Sequence, residues 1–417
     1  MPNKLKILTI SDHPLVSSGV GSQTRYIIEG LLATGKFKFI SLGGALKHKE
    51  YNPQRLETWG DDWTIFPING YGDENIVREI LDVEKPDAVW FMTDPRFFQW
   101  LFNMSDEIRD RGIPLLYYHV WDNYPVPKFN RPAYKSCDFI GCISKLTHDI
   151  VCQLGMENNS AYIPHAVNSD VFKPYSEKKI LEKRKEMMKD HKDKFIIFYN
   201  SRNARRKMTS DIVKMFKRML DKIGQDKAFL LMHTDPHDKE GANLIEVANL
   251  LGLKNTQLGF SANRIPPEVM ADYYNVADVT INISNNEGFG LSCLESLSCG
   301  TPVIVNKTGG LQDQPVDDEG NVFGVLIEPA TRTLTGSQQI PYIFDDRCSD
   351  EDVLEALLHM YKMSKKKRRE LGKQAREWVL KAFSMKQMVG RWEDALTKYI
   401  ETYKKEGYPE RVRFDRV

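Results

Sequence analysis

No Cys-x-x-Cys pair occurs in the 417 residues, and the six cysteines are scattered from Cys137 to Cys348. That spacing argues against a zinc ribbon or a dense disulfide scaffold and fits a reducing compartment. No apolar run approaches the ~20 residues that cross a bilayer. The opening Met-Pro-Asn-Lys-Leu-Lys runs into Ile7-Leu8-Thr9-Ile10 without an apolar signal region, so a cytoplasmic protein is expected. Peripheral membrane contact stays open, because an amphipathic surface needs no spanning segment. Net charge is nearly absent as well: at +1 the chain has no global pull toward nucleic acid. Also missing is a strand followed by Asp-x-Asp, the arrangement that would hold a divalent ion. The one such triplet, Asp350-Glu351-Asp352, directly precedes the helical Val353-Leu354, where acids are capping residues by default. No metal site and no required cofactor are expected.

What is present is an ordinary globular composition, 41% hydrophobic and 28% charged, which removes disorder and coiled coil from consideration. The length points to two domains or three. Short apolar runs bounded by polar or turn residues recur at Lys6–Ile10, Ala88–Met92, Leu115–His119 and Phe139–Ile143, then again at Phe195–Tyr199, Phe229–His233, Val279–Ile283 and Pro302–Val305. Between them lie helical patterns, the first from about Ser22 to Leu32. Such runs read as parallel strands buried on both faces, so two α/β halves are predicted. Pro164 to Pro174 and the charged Glu177 to Lys194 read as a linker plus an exposed helix, and Thr331 to Asp346 as a loop insertion. The basic run Ser364-Lys-Lys-Lys-Arg-Arg is followed by Glu370, Leu371 and Trp378, which favours a solvated helix face over a nucleic-acid patch.

The richest stretch runs from Asn285 to Gly310. Gly288 and Gly290 follow a buried strand, a helix starts near Leu291, and Gly300 ends it. A helix start preceded by glycines offers free N–H groups and a positive dipole end to a phosphate or diphosphate. Glu287 sits in the loop and Glu295 about one turn into the helix. Each carboxylate could accept hydrogen bonds from a vicinal diol, and two acids around one anion site imply a sugar nucleotide. The bare glycine loop would be no more than a turn. The whole string, with Glu-Gly-Phe-Gly-Leu from Glu287 through Phe289 to Leu291, then Leu-Glu-Ser and Cys-Gly-Thr-Pro-Val, resembles the glutamate-x7-glutamate motif of the retaining glycosyltransferases of family 4.

That resemblance implies that Glu295 binds the nucleotide ribose and Glu287 the donor sugar. Asn200 to Lys207 looks like the same family's Arg-x4-Lys loop, with Arg202 and Lys207 as cations for the departing diphosphate, although Met208 stands where the family usually has glycine. Gly19 and Gly21, after the first strand, look like its N-terminal glycine loop. Thr24 takes the place that a dinucleotide fingerprint would give to its third glycine. His119, at a strand end, is similarly placed to a histidine that borders the donor sugar; Asp94, Arg96, Trp121 and Asp122 are candidates for an acceptor pocket. Ile163 to Asp170 resembles the family's Ile-Pro-Asn-Gly-Val-Asp element with His165 and Ala166 replacing Asn-Gly, and Gly259-Phe260 with Arg264 resembles the segment meeting the nucleobase.

The fold implied is GT-B: two Rossmann-like, doubly wound parallel-sheet domains facing a cleft. The acceptor-side domain is expected over 1–175, with a C-terminal helix at about 388–417 crossing back, and the donor-binding domain over 176–387. The implied reaction moves a hexose-type sugar, with retention, from a UDP or GDP sugar to an acceptor hydroxyl. Glycan, lipid, protein, small molecule and nucleic acid all remain as acceptors. The alternatives are a sugar-nucleotide epimerase or a glycoside phosphorylase on the same scaffold, or a protein that binds the sugar nucleotide without turnover.

Overall fold

The computed structural model describes residues 4–406. They separate into two compact units, one holding the residues up to Ala166 together with those from Met385 onward, the other Val167–Ser384. The change of unit falls at Ala166 rather than at 175, and local hydrogen bonds explain why. Gln23 exchanges two with the backbone of Ala166, at 2.8 and 3.0 Å, and the Tyr118 hydroxyl donates to the Ile163 carbonyl at 2.9 Å. Arg376, by contrast, ties the carbonyls of Ser169 and Phe172 into the second unit at 2.8 and 2.7 Å.

The first unit is built on β1 (Leu5–Asp12), β2 (Phe37–Gly44), β3 (Gln54–Arg55), β4 (Trp63–Pro67), β5 (Ala88–Thr93), β6 (Leu115–His119), β7 (Phe139–Cys142) and β8 (Ser160–Tyr162). Their order in the sheet is β3-β4-β2-β1-β5-β6-β7-β8. All pairings are parallel except β3 with β4. β1, β5 and β6 are buried along nearly their whole length, as expected of strands covered on both faces. The helix Met385–Glu406 packs onto this unit. Trp392, fully buried, meets Trp90 and Tyr118 edge-on at 5.6 and 5.1 Å and lies over Gly141, where an added Cβ would come within 2.6 Å of the indole. Residues 407–417, the end of the expected C-terminal segment, lie outside the described residues.

The second unit carries β9 (Phe195–Asn200), β10 (Ala228–His233), β11 (Leu258–Ser261), β12 (Val279–Asn282), β13 (Val303–Asn306) and β14 (Gly324–Ile327), all parallel, in the order β11-β10-β9-β12-β13-β14. The expected loop insertion from Thr331 is instead an antiparallel hairpin of β15 (Thr331–Thr335) and β16 (Ile343–Arg347). It is held to the sheet by the Asp346 N–H, which donates to the Asn285 carbonyl at 2.8 Å, and by Asn306, whose amide donates to the Asp346 carbonyl at 2.7 Å. The basic run opens the helix Lys365–Ala382, with Lys365, Lys366 and Lys367 exposed but Arg368 and Arg369 drawn into ion pairs.

In each sheet the winding direction reverses once, between β1 and β5 in the first unit and between β9 and β12 in the second. At such a point the loops leaving adjacent strands diverge to opposite faces and open a crevice at the carboxyl ends, the usual ligand position in open α/β sheets.

Candidate functional site

The second unit's reversal point is formed by two loops. One leaves β9 and passes through Arg202 to the single helical turn Arg205–Lys207; the other leaves β12 and carries Glu287 to Gly290. They are tied together where the Asn285 N–H donates to the Arg206 carbonyl at 2.8 Å and the Arg206 guanidinium donates to the Asn286 carbonyl at 2.7 Å. Lys207, 7% exposed, donates through Nζ to Glu287 Oε2, while Arg206 stands 3.9 Å from the other carboxylate oxygen. Arg202 points elsewhere: it is largely exposed and grips Asp238 with two hydrogen bonds of 2.6 and 3.1 Å. Met208, where glycine was expected, holds a left-handed φ of +55°, a conformation that disfavours a long side chain.

Gly290 caps the helix Leu291–Ser298 at φ +90° with no side-chain cap, so the first amides of that helix have no intrahelical acceptor. A Cβ on Gly290 would lie 2.4 Å from Leu311, and one on Gly310 would lie 2.3 Å from the Gly288 carbonyl. Phe289 is buried, 6.1 Å from the Phe383 ring, so its side chain anchors the loop. One turn along the helix, Glu295 accepts a 2.8 Å hydrogen bond from Tyr274, whose hydroxyl accepts one of 2.8 Å from Asn200 at the end of β9. Arg264 is exposed on the loop after β11, and Gly259 lies within β11 against Phe229.

The first unit has its own reversal point. The loop leaving β1 ends in the helix Gly19–Ala33, capped by Ser18, whose hydroxyl accepts from the Gly21 N–H at 2.9 Å and donates to Asp12 at 2.6 Å. Gly19 is exposed; Gly21 is buried against the His13 carbonyl, 2.8 Å from where a Cβ would stand. At the end of β5, Thr93 takes φ +148° and Asp94 caps the turn that follows, accepting from the Arg96 N–H at 3.0 Å. A β-branched residue at such a φ is an outlier of the kind found at functional positions. Burial raises the Asp94 pKa, with Asp122 adding to the rise. Arg96 is exposed over Phe97, and Trp121 is buried with its indole N–H donating to the Asn123 carbonyl at 2.7 Å. His119 pairs in register with Thr93; its Nδ1 lies 3.2 Å from the Tyr117 hydroxyl and its buried Nε2 has no hydrogen-bond partner. Burial lowers its pKa to about 3, which keeps the ring neutral.

Residues 179–378 match the family described as glycosyl transferases group 1. The curated relatives agree over parts of the chain. D-inositol 3-phosphate glycosyltransferase of Corynebacterium jeikeium is 31% identical over 40% of this chain and 39% of its own length. Alpha-monoglucosyldiacylglycerol synthase of Acholeplasma laidlawii is 25% identical over 52% of this chain and 53% of its own length. The chain thus spans about half or less of these relatives. Two solved structures match nearly throughout. HepE of Anabaena, in complex with UDP and glucose, gives a TM-score of 0.68 at 14% identity over 94% of this chain and 100% of that one. Sucrose-phosphate synthase of Thermosynechococcus elongatus gives 0.70 at 17% over 97% and 99%. At these identities the structural likeness establishes the fold, which is GT-B.

Within the matched residues the two glutamates sit in opposite electrostatic settings. Burial alone would raise the Glu287 pKa, but the charges of Lys207 and Arg206 and hydrogen bonds from Lys207 and Asn282 overcome it and hold the carboxyl below its ordinary range. Glu295 has no cation to offset burial, and its pKa is pushed up to about 7 against the Tyr274 hydrogen bond. Sequence reasoning passed over Arg206, Asn200 and Tyr274. Arg206 lies inside the same basic loop, but the Arg-x4-Lys spacing selects Arg202 instead. Tyr274 lies on the helix Pro267–Val276, and nothing in its sequence neighbourhood ties it to Glu295. Among the described residues no three His, Cys, Asp or Glu side chains cluster as metal ligands, and no helix is long and apolar enough to cross a membrane.

Proposed function

We propose that this protein transfers a hexose-type sugar from a nucleoside-diphosphate sugar to an acceptor hydroxyl, with retention of anomeric configuration. The observation that carries the reading is the largely buried Lys207–Glu287 pair beside the uncapped start of the helix Leu291–Ser298, at the strand-order reversal of the second sheet. The helix end and the basic loop take the diphosphate; Glu287 accepts from sugar hydroxyls and Glu295 from the ribose diol. In the first unit, His119, Asp94, Arg96, Trp121 and Asp122 border the acceptor side, and Gly19 and Gly21 let the backbone come close to the substrates. Support comes from relatives named for glycosyl transfer and from the HepE structure with UDP and glucose.

In the step itself the bond from the anomeric carbon to the β-phosphate oxygen breaks and a bond to the acceptor oxygen forms on the same face. The acceptor proton passes to the leaving diphosphate. Negative charge grows on that diphosphate as the bond breaks, so fixed positive charge there lowers the barrier. Lys207 and Arg206 supply it, Arg202 joins them by exchanging Asp238 for phosphate, and no divalent cation is called on. Neutral His119 donates or accepts a hydrogen bond without adding charge.

The test is turnover of UDP and GDP sugars with polyol-phosphate and diacylglycerol acceptors, followed by the anomeric proton coupling of the product in NMR. A product with the donor's anomeric configuration supports retention. An inverted product removes retention, and isomerised donor without acceptor removes the transferase reading.

A further inference from the structure

At the amino ends of the second unit's strands, opposite the loops just described, lies a half-open cavity of about 350 Å³. Asp278, directly before β12, and Thr301-Pro302, directly before β13, form its floor. Six cations line it: Arg184, Lys365, Arg368, Arg369, Lys373 and Arg376. Three carboxylates, Asp278, Glu177 and Glu377, face them. Asp278 is saturated, with Arg184 at 2.7 Å and Arg368 at 2.9 Å on its two oxygens and the Ile196 N–H at 2.9 Å. Glu177 engages Nη1 of Arg369, whose Nη2 is buried without a hydrogen-bond partner. Arg376 spends its donors on the carbonyls of Phe172, Ser298 and Ser169 and on the Ser298 hydroxyl, none of them charged. Lys365 and Lys373 make no ion pair among the described residues.

Positive charge is therefore in excess inside a concave surface, and one buried guanidinium donor has nothing to bond. Unpaired buried donors and uncompensated charge are costly, and an anion with several acceptor oxygens relieves both. We infer that this basin binds a phosphate monoester. Its volume is near the lower end of the ~300–1,000 Å³ typical of ligand pockets, which suits a sugar phosphate or a phosphate headgroup better than a whole nucleotide sugar.

The experiment titrates the full chain with inorganic phosphate and with a hexose monophosphate by calorimetry. In parallel, its sedimentation with vesicles of phosphatidylcholine is measured with and without phosphatidic acid. The comparison protein is the double variant K365E/K373E; both side chains are exposed, and R369Q serves as a second variant aimed at the unpartnered donor. Binding of the soluble monoester that weakens at least about tenfold in K365E/K373E supports the site and assigns a free metabolite. Binding only to phosphatidic acid vesicles, lost in the same variant, supports the site and assigns a headgroup. No binding of any probe, or binding equal in wild type and both variants, overturns the inference. The donor loops are unaltered in these variants, so the outcome is separable from the transferase reading.

Discussion

Replacing Glu295 by Gln removes a carboxylate that the fold holds at a disadvantage. Its pKa rises from 4.5 to about 7, chiefly because burial disfavours the charged form, and that displacement corresponds to about 3 kcal/mol. Since the folded value lies above the unfolded one, the folded state binds the extra proton between these limits. Stability is thus lost as pH rises through 7, and the cost vanishes below 4.5, where both states are protonated. In the Glu295→Gln variant the side chain would be neutral throughout, and its amide oxygen would still accept from Tyr274. The variant should match wild type near pH 4.5 and exceed it by about 3 kcal/mol at pH 8. For a unit the size of Val167–Ser384 that is about 6–12 °C in melting temperature. The same change should weaken donor binding about tenfold, because a charged acceptor gives way to a neutral one. Thermal unfolding of both proteins from pH 4.5 to 8 is the assay. A difference independent of pH, or absent at pH 8, refutes the assignment of Glu295 as a buried carboxyl without a cation partner.

Four further outcomes follow from the geometry. Lys207→Met leaves the largely buried Glu287 with Arg206 at 3.9 Å and the Asn282 hydrogen bond but no close cation and should cost about 3–5 kcal/mol; adding Glu287→Gln should restore most of the stability in urea unfolding but none of the transfer rate. Gly310→Ala drives a Cβ into the Gly288 carbonyl and should cost about 1–3 kcal/mol while raising the donor KM. Arg202→Ala, at an exposed surface pair, should change stability by less than about 1 kcal/mol yet slow transfer; an unchanged kcat removes its role on the leaving group. Trp392→Ala empties a site between Trp90, Tyr118 and Gly141 and should cost about 3–5 kcal/mol, read as earlier unfolding of the first unit.

Most of the architecture was readable because doubly covered parallel strands such as Ala88–Met92 and Val279–Ile283 are continuous apolar runs with little competing pattern. The hairpin at Thr331–Arg347 was not. The strand Thr331–Thr335 is exposed along nearly all its length, so it carries no burial alternation, and its pairing is decided by contacts of Asp346 with residues far away in the chain. The glycine string from Gly288 to Gly310 was legible because a left-handed turn and close backbone approach require glycine at Gly290 and Gly310. Which cation meets Glu287 was not legible. Lys207 and Arg206 reach it while Arg202 swings to Asp238, and that choice depends on how the single turn Arg205–Lys207 orients three adjacent basic side chains. Tyr274 became visible as a partner of Glu295 only when the helix Pro267–Val276 was placed beside the helix Leu291–Ser298.

The central claim is that the loops after β9 and β12 hold a nucleoside-diphosphate sugar. Calorimetric titration of the full chain with UDP-glucose, GDP-mannose and their free diphosphates tests it directly. One of these donors should bind at one site per chain, at least about tenfold more tightly than to the Lys207→Met variant. Absence of binding by every donor, or equal affinity in wild type and variant, would contradict it.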